Sequence, residues 1–213
     1  MKVSKTINNK VFVKLPIEND KIKTKSGAVI YIDTSFEQEK HTDIICEVIT
    51  PPEKFDYVVG GEKRHWNTEI EIKQGDVVWT NYIMIRSNLE TGAYIKEGDD
   101  IYMFIDYDTL VLAKREDEII MLNGFCLVEP VEEDVKSNLL LNKKKKYGKI
   151  VKLANPNKEY KNKALTDNVN VKVGDIISFD KFADIPVEYG MHKTLDKEYW
   201  KIQRRNMSVV WCG

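Results

Sequence analysis

Ile72-Lys73-Gln74-Gly75-Asp76-Val77-Val78 recurs 99 residues on as Val171-Lys172-Val173-Gly174-Asp175-Ile176-Ile177. Gly-Asp is a turn pair, and glycine supplies the positive φ that such a turn often needs. The β-branched run after it reads as a strand. One such heptapeptide is weak. Its recurrence directs attention to the rest of the chain.

Three more blocks repeat in the same order. Asn9 to Asp20, with Pro16 inside it, aligns with Asn123 to Asp134, with Pro130 inside it, at an offset of 114. Each copy is an apolar run, a proline, a β-branched residue and an acidic turn. This reads as a strand stopped by a residue that cannot donate to a ladder. Cys46-Glu47-Val48-Ile49 aligns with Gly148-Lys149-Ile150-Val151 at 102. Tyr102 to Ile105 and Leu110 to Leu112 align more loosely with Tyr199 to Ile202 and Met207 to Val209 at 97. A falling offset with preserved blocks places the length changes in loops, as a duplicated domain requires.

The repeat divides the 213 residues into domains at 1–117 and 118–213, with the charged stretch Lys114 to Glu118 at the boundary. Ile119-Ile120-Met121 belongs to the second copy or to a strand shared by both. No run shows convincing helical spacing. Short strands separated by turn residues predict an all-β fold, with a small barrel in each half.

The composition bounds the function. The chain is 42% hydrophobic and 31% charged, with a net charge of -1. This fits a soluble protein and argues against a general nucleic-acid binder, which carries a basic excess. No apolar run approaches the roughly 20 residues that span a bilayer. Met1 to Lys10 lacks the apolar core of a secretory signal. Cys46, Cys126 and Cys212 are far apart and form no CxxC pair, which predicts reduced thiols and a cytoplasmic location.

Chemistry-bearing patterns are sparse. His41, His65 and His192 lack metal-ligand spacing with a second His or Cys. There is no GxGxxG, P-loop or GxSxG. Asp99-Asp100 and Glu132-Glu133 fall in turn-like contexts. Lys143 to Lys146 reads as a solvated loop rather than a nucleic-acid contact. Trp79, Trp200 and Trp211 fall in predicted strands as core or interface residues, and Trp66 in a variable hairpin. No catalytic residue, cofactor or metal is predicted.

Taken in order, these blocks resemble the GroES family of co-chaperonins, in both halves and over nearly the whole chain. Val11-Phe12-Val13-Lys14-Leu15-Pro16 is similar to the family's opening strand. Lys23-Thr24-Lys25-Ser26-Gly27-Ala28-Val29-Ile30 is similar to its mobile loop. Val171-Lys172-Val173-Gly174-Asp175-Ile176 is similar to its Val-Lys-Val-Gly-Asp strand entry. Ala28 departs from the larger aliphatic usual there. The second loop, Lys136-Ser137-Asn138-Leu139-Leu140-Leu141, is shorter and has Asn138 for Gly. Val58 to Glu62 is only loosely like the family's roof hairpin.

The resemblance implies two tandem GroES-like small β-barrels and a co-chaperonin that caps a GroEL-type chaperonin and assists ATP-dependent folding. The partner binds the ATP. It implies a homo-oligomeric ring with no role for nucleic acid or membrane. It places chaperonin binding at Ser26, Gly27, Ala28, Val29 and Ile30, and at Leu139, Leu140 and Leu141. The alternative reading of each apolar tripeptide is ordinary strand residues packed in a core. The competing function is a structural or adaptor protein on the same barrel, such as a viral particle component. A dehydrogenase-like enzyme is disfavoured because no dinucleotide-binding segment is present.

Overall fold

A computed structural model describes residues 3–6, 8–15, 21–23, 29–31, 45–59, 62–65, 69–80, 82–131, 145–156, 170–180, 185–186 and 199–211. It is mostly β, with two large sheets, one of which curls into a half-barrel.

In the first half the strands are β1 (Lys10–Leu15), β2 (Lys21–Lys23), β3 (Val29–Tyr31), β4 (Ile45–Thr50), β5 (Asp56–Val59), β6 (Glu62–His65) and β7 (Val77–Thr80). A helix α1 (Tyr82–Glu90) follows, then β8 (Tyr94–Glu97), β9 (Asp100–Asp106), β10 (Leu110–Arg115) and β11 (Glu118–Met121). The second half has β12 (Phe125–Pro130), β13 (Lys145–Leu153), β14 (Ile176–Asp180), β15 (Ile185–Pro186), β16 (Trp200–Gln203) and β17 (Met207–Trp211). The seven-stranded sheet runs β11-β10-β7-β4-β1-β9-β8, and the six-stranded sheet β15-β16-β12-β13-β14-β17. β2–β3 and β5–β6 form separate two-stranded hairpins.

The two orders share one five-stranded unit. β10-β7-β4-β1-β9 and β17-β14-β13-β12-β16 have the same connectivity and antiparallel pairing throughout. Irregularities recur as well. The ladder slips between Phe12 and Val13 in one unit and between Leu127 and Val128 in the other. A single 3-10 turn separates β9 from β10, at Tyr107–Thr109, and β16 from β17, at Arg204–Asn206. Such slips bend a strand and strengthen its twist, so both units curve at the same place.

The register corrects one expected alignment. Val13 faces Val48 and Met103, whereas Val128 faces Ile150 and Trp200. The first strands are therefore equivalent at an offset of 115, and aligning Pro16 with Pro130 is one residue out. Because side chains alternate along a strand, that single residue exchanges inside for outside. Pro130 is the last residue of β12, while β1 ends at Leu15, before Pro16. The offsets of 102, 99 and 97 agree with the ladders.

The helix is a second correction, since the spacing predicts none. α1 buries Ile85, half-buries Met84 and leaves Leu89 40% exposed. Its Asn88 amide donates to Phe104 O at 3.0 Å, anchoring it beside β9.

Alternation fills the first core. Val11, Val13 and Leu15 from β1 meet Cys46 and Val48 from β4 and Met103 and Ile105 from β9. Phe12 points to the opposite face, stacked on Tyr102 with ring centroids 5.7 Å apart and tilted against Phe104 at 4.8 Å. In the second core, Cys126, Val128, Ile150, Ile177 and Ile202 play the matching parts.

A third cluster joins the halves. Trp79, Val111, Leu112 and Met121 pack with Leu127 and Ala154, flanked by Phe125, Val151 and Tyr199. Trp79 is thus an interface residue. β11 is hydrogen-bonded to β10 in the first sheet, with Arg115 opposite Glu118. Its Ile119 and Met121 face the joining cluster, and Ile120 faces the first core.

Candidate partner-binding segments

The Gly-Asp turns recur in both units with the same geometry. Gly75 has φ +86° and Gly174 has φ +99°, so each needs the conformation that only glycine adopts without strain. Gly75 N donates to Val48 O at 2.8 Å and Gly174 N to Ile150 O at 2.8 Å. Each aspartate closes its own turn: Lys73 N donates to Asp76 Oδ2 at 2.8 Å, and Lys172 N to Asp175 Oδ2 at 2.9 Å. These carboxylates hold structure and approach no cluster suited to chemistry. Among the described residues, no group of three or more His, Cys, Asp or Glu is placed to hold a metal.

The turns pin β7 against β4 and β14 against β13. They fix the second strand of each unit, and with it one end of the connection from the first strand. That connection runs from Leu15 to Ile45 in the first unit and from Pro130 to Lys145 in the second. Both candidate tripeptides fall in it. Val29 and Ile30 lie in β3, opposite Lys23 and Ile22 of β2. Ser26, Gly27, Ala28, Leu139, Leu140 and Leu141 lie outside the described residues, as do His41, Trp66, His192 and Cys212.

Two partly exposed ion pairs bridge β1 and β9. Lys14 Nζ lies 2.8 Å from Asp100 Oδ2 and Lys10 Nζ 2.6 Å from Asp106 Oδ1. The hydrogen bond to Asp100 raises the Lys14 pKa above its usual value, and the same bond lowers that of Asp100. Solvent screens such pairs, so they set register more than stability.

Sequence reasoning missed two polar clamps. Arg115 holds Asp76 beneath the first turn. The buried Asn123 amide donates to Tyr107 O at 2.6 Å and Leu110 O at 2.8 Å, tying the start of the second unit to the first. The Asn pairs at 8–9 and in 123 with Gly124 carried the available signal: Asn8 and Asn123 both adopt positive φ, 59° and 52°.

Cys46 is a buried free thiol, and burial pushes its pKa up to about 12. Cys126 is likewise buried. Among the described residues, no helix is long and apolar enough to cross a membrane. In comparisons with known proteins, the chain matches no family model and no curated protein.

Proposed function

We propose that the chain is a co-chaperonin, which caps a GroEL-type chaperonin ring and assists ATP-dependent folding without chemistry of its own. The observation that carries this reading is topological. Two equivalent connections, each between the first and second strands of a repeated five-stranded unit, bear an apolar tripeptide in a polar setting. Ala28, Val29 and Ile30 would anchor one, and Leu139, Leu140 and Leu141 the other. A short apolar anchor that must order on binding gives a weak contact. Several such anchors on one assembly multiply into firm but reversible capping through effective concentration.

One observation favours a second reading, a structural or adaptor protein built on two GroES-like barrels. The backbone of Val29–Tyr31 is already laddered against Lys21–Lys23. A permanent interface would use such a preformed hairpin directly.

Nucleotide-dependent capping by the unaltered chain separates the two, and Val29→Asp tests the anchor. Under the proposal it abolishes nucleotide-dependent capping and leaves the far-ultraviolet circular dichroism unchanged. Retained capping by the folded variant would overturn the assignment of this anchor.

A further inference from the structure

Asn-Gly occurs once in the chain, at Asn123-Gly124. Asparagine is a thermally labile residue, and a following glycine exposes its weakness. With no Cβ, glycine lets its backbone nitrogen approach the side-chain carbonyl carbon of the residue before it. Here the pair forms the tight turn between β11 and β12. Both residues have positive φ, 52° and 69°, and Phe125 N donates to Leu122 O at 2.9 Å. This is the two-residue hairpin turn that favours Asn-Gly.

The turn lies at the seam between the two units, and it is closed to solvent. Asn123 is 1% exposed, and Gly124 is buried as well. Asn123 Nδ2 donates to Tyr107 O at 2.6 Å and to Leu110 O at 2.8 Å, both in the first unit. From the second unit, Arg204 N donates to Gly124 O at 3.0 Å. Leu122 N donates to Val111 O at 2.9 Å on the other side. Ring closure between Gly124 N and Asn123 Cγ requires the Asn123 backbone to rotate out of its left-handed conformation. It also requires Nδ2 to leave both carbonyls, and water to reach the Gly124 amide. The packed turn opposes all three.

We propose that Asn123 is a covalent modification site gated by folding, reactive in the unfolded chain and protected in the native one. In the unfolded chain Gly124 N attacks Asn123 Cγ and forms the new carbon–nitrogen bond. The Gly124 amide proton passes to solvent base. The bond from Cγ to Nδ2 breaks, and Nδ2 takes a proton from water and departs as ammonia. Water then opens the cyclic imide at either carbonyl. The product is aspartate at 123, or its isomer linked to Gly124 through the side-chain carboxyl.

Neither product fits the native seam. Aspartate turns acceptor oxygens toward Tyr107 O and Leu110 O, where the amide donated. The isomer adds a methylene to the backbone of a two-residue turn. A chain modified while unfolded therefore loses the tie between its units for good, and carries a one-way record of time spent unfolded. The duplication supplies an internal control. Asn8 is equivalent to Asn123 at the offset of 115 and has the same left-handed φ, 59°, but Asn9 follows it in place of glycine. Nothing in this chemistry depends on a chaperonin.

Peptide mapping by mass spectrometry tests it, with the full chain held at one mildly alkaline pH and one temperature, with and without guanidinium chloride. In denaturant, exchange of amide for acid should build up at Asn123 well ahead of Asn8, and Gly124→Ala should slow it to the pace of Asn8. Without denaturant the rate at Asn123 should fall by about a hundredfold or more, since reaction then waits on opening of the seam. Asn123→Asp, which reproduces one product, should unfold at lower denaturant than the unaltered chain. Equal rates at Asn123 with and without denaturant would overturn the gating. A rate at Asn123 in denaturant no faster than at Asn8 would overturn the site. An Asn123→Asp chain as stable as the unaltered one would overturn the consequence at the seam.

Discussion

Arg115 grips Asp76 through two nitrogens at once: Nε lies 2.9 Å from Oδ1 and Nη2 2.8 Å from Oδ2. The same Nη2 reaches Glu71 O at 2.9 Å, so one guanidinium ties the end of β10 to both ends of the Gly-Asp turn. Asp76 is only 2% exposed. Removing its partner strands a buried charge. Arg115→Ala should destabilise the chain by about 2–3 kcal/mol, below the range for a fully buried pair because Arg115 keeps some solvent. Urea denaturation measures this directly. Arg115→Lys should recover only part, since an ammonium cannot form the planar fork.

Among the described residues, no arginine clamps the second turn. Asp175 Oδ1 is buried without a hydrogen-bond partner, and the position equivalent to Arg115 is Cys212. Cys212→Arg should supply the missing donor and raise stability by about 1–2 kcal/mol. In an Asp175→Asn background the gain should vanish, which a double-mutant cycle reads out.

Gly148 leaves no room for a side chain. A Cβ there would collide with Val128 Cγ1 and sit 3.1 Å from Glu129 O. The equivalent position in the first unit is Cys46. Gly148→Ala should cost about 1–3 kcal/mol through overpacking. Val128→Ala should partly rescue it, and thermal melts of the pair of variants measure the compensation.

Asn123 combines a left-handed φ with two hydrogen bonds to the first unit. Asn123→Gly keeps the backbone preference and loses the bonds; Asn123→Ala loses both. Each should destabilise, with alanine worse by about 1 kcal/mol, the cost of forcing a side chain into that region. Equal losses in denaturant titrations would show that the backbone conformation contributes nothing.

The Cys46 thiol adds a pH dependence. Its folded pKa, near 12, lies above that of the exposed thiol. The unfolded chain therefore loses its proton first as pH rises. The contribution is complete below the unfolded pKa and is lost between it and about pH 12. Burial also raises the Tyr107 phenol, which adds to the alkaline loss. Cys46→Ala should make the decline shallower, and native Cys46 should resist maleimide labelling until the chain unfolds.

The duplication was legible because turns need particular residues. Gly75-Asp76 and Gly174-Asp175 kept both glycine and carboxylate, since each performs a backbone task no other residue matches. The first strand was less legible. Its inward positions accept any apolar residue, so Val11-Phe12-Val13 and Cys126-Leu127-Val128 carry no internal landmark, and Pro16 and Pro130 offered a false one. The helix escaped because Ile83, Met84 and Ile85 are consecutive rather than spaced along one face. Asn123 gave little sign of its role, because a buried amide that binds carbonyls far along the chain looks like any turn residue. The tripeptides are visible as short apolar patches, but nothing in three aliphatic residues distinguishes an anchor from a strand.

ATP-dependent co-sedimentation of the full chain with the GroEL-type chaperonin of its own host tests the proposed capping role most directly. A capping role requires nucleotide-dependent binding that disappears when the 21–40 segment is clipped, with the chain otherwise folded. No binding with nucleotide present, or binding unchanged after clipping, would contradict it.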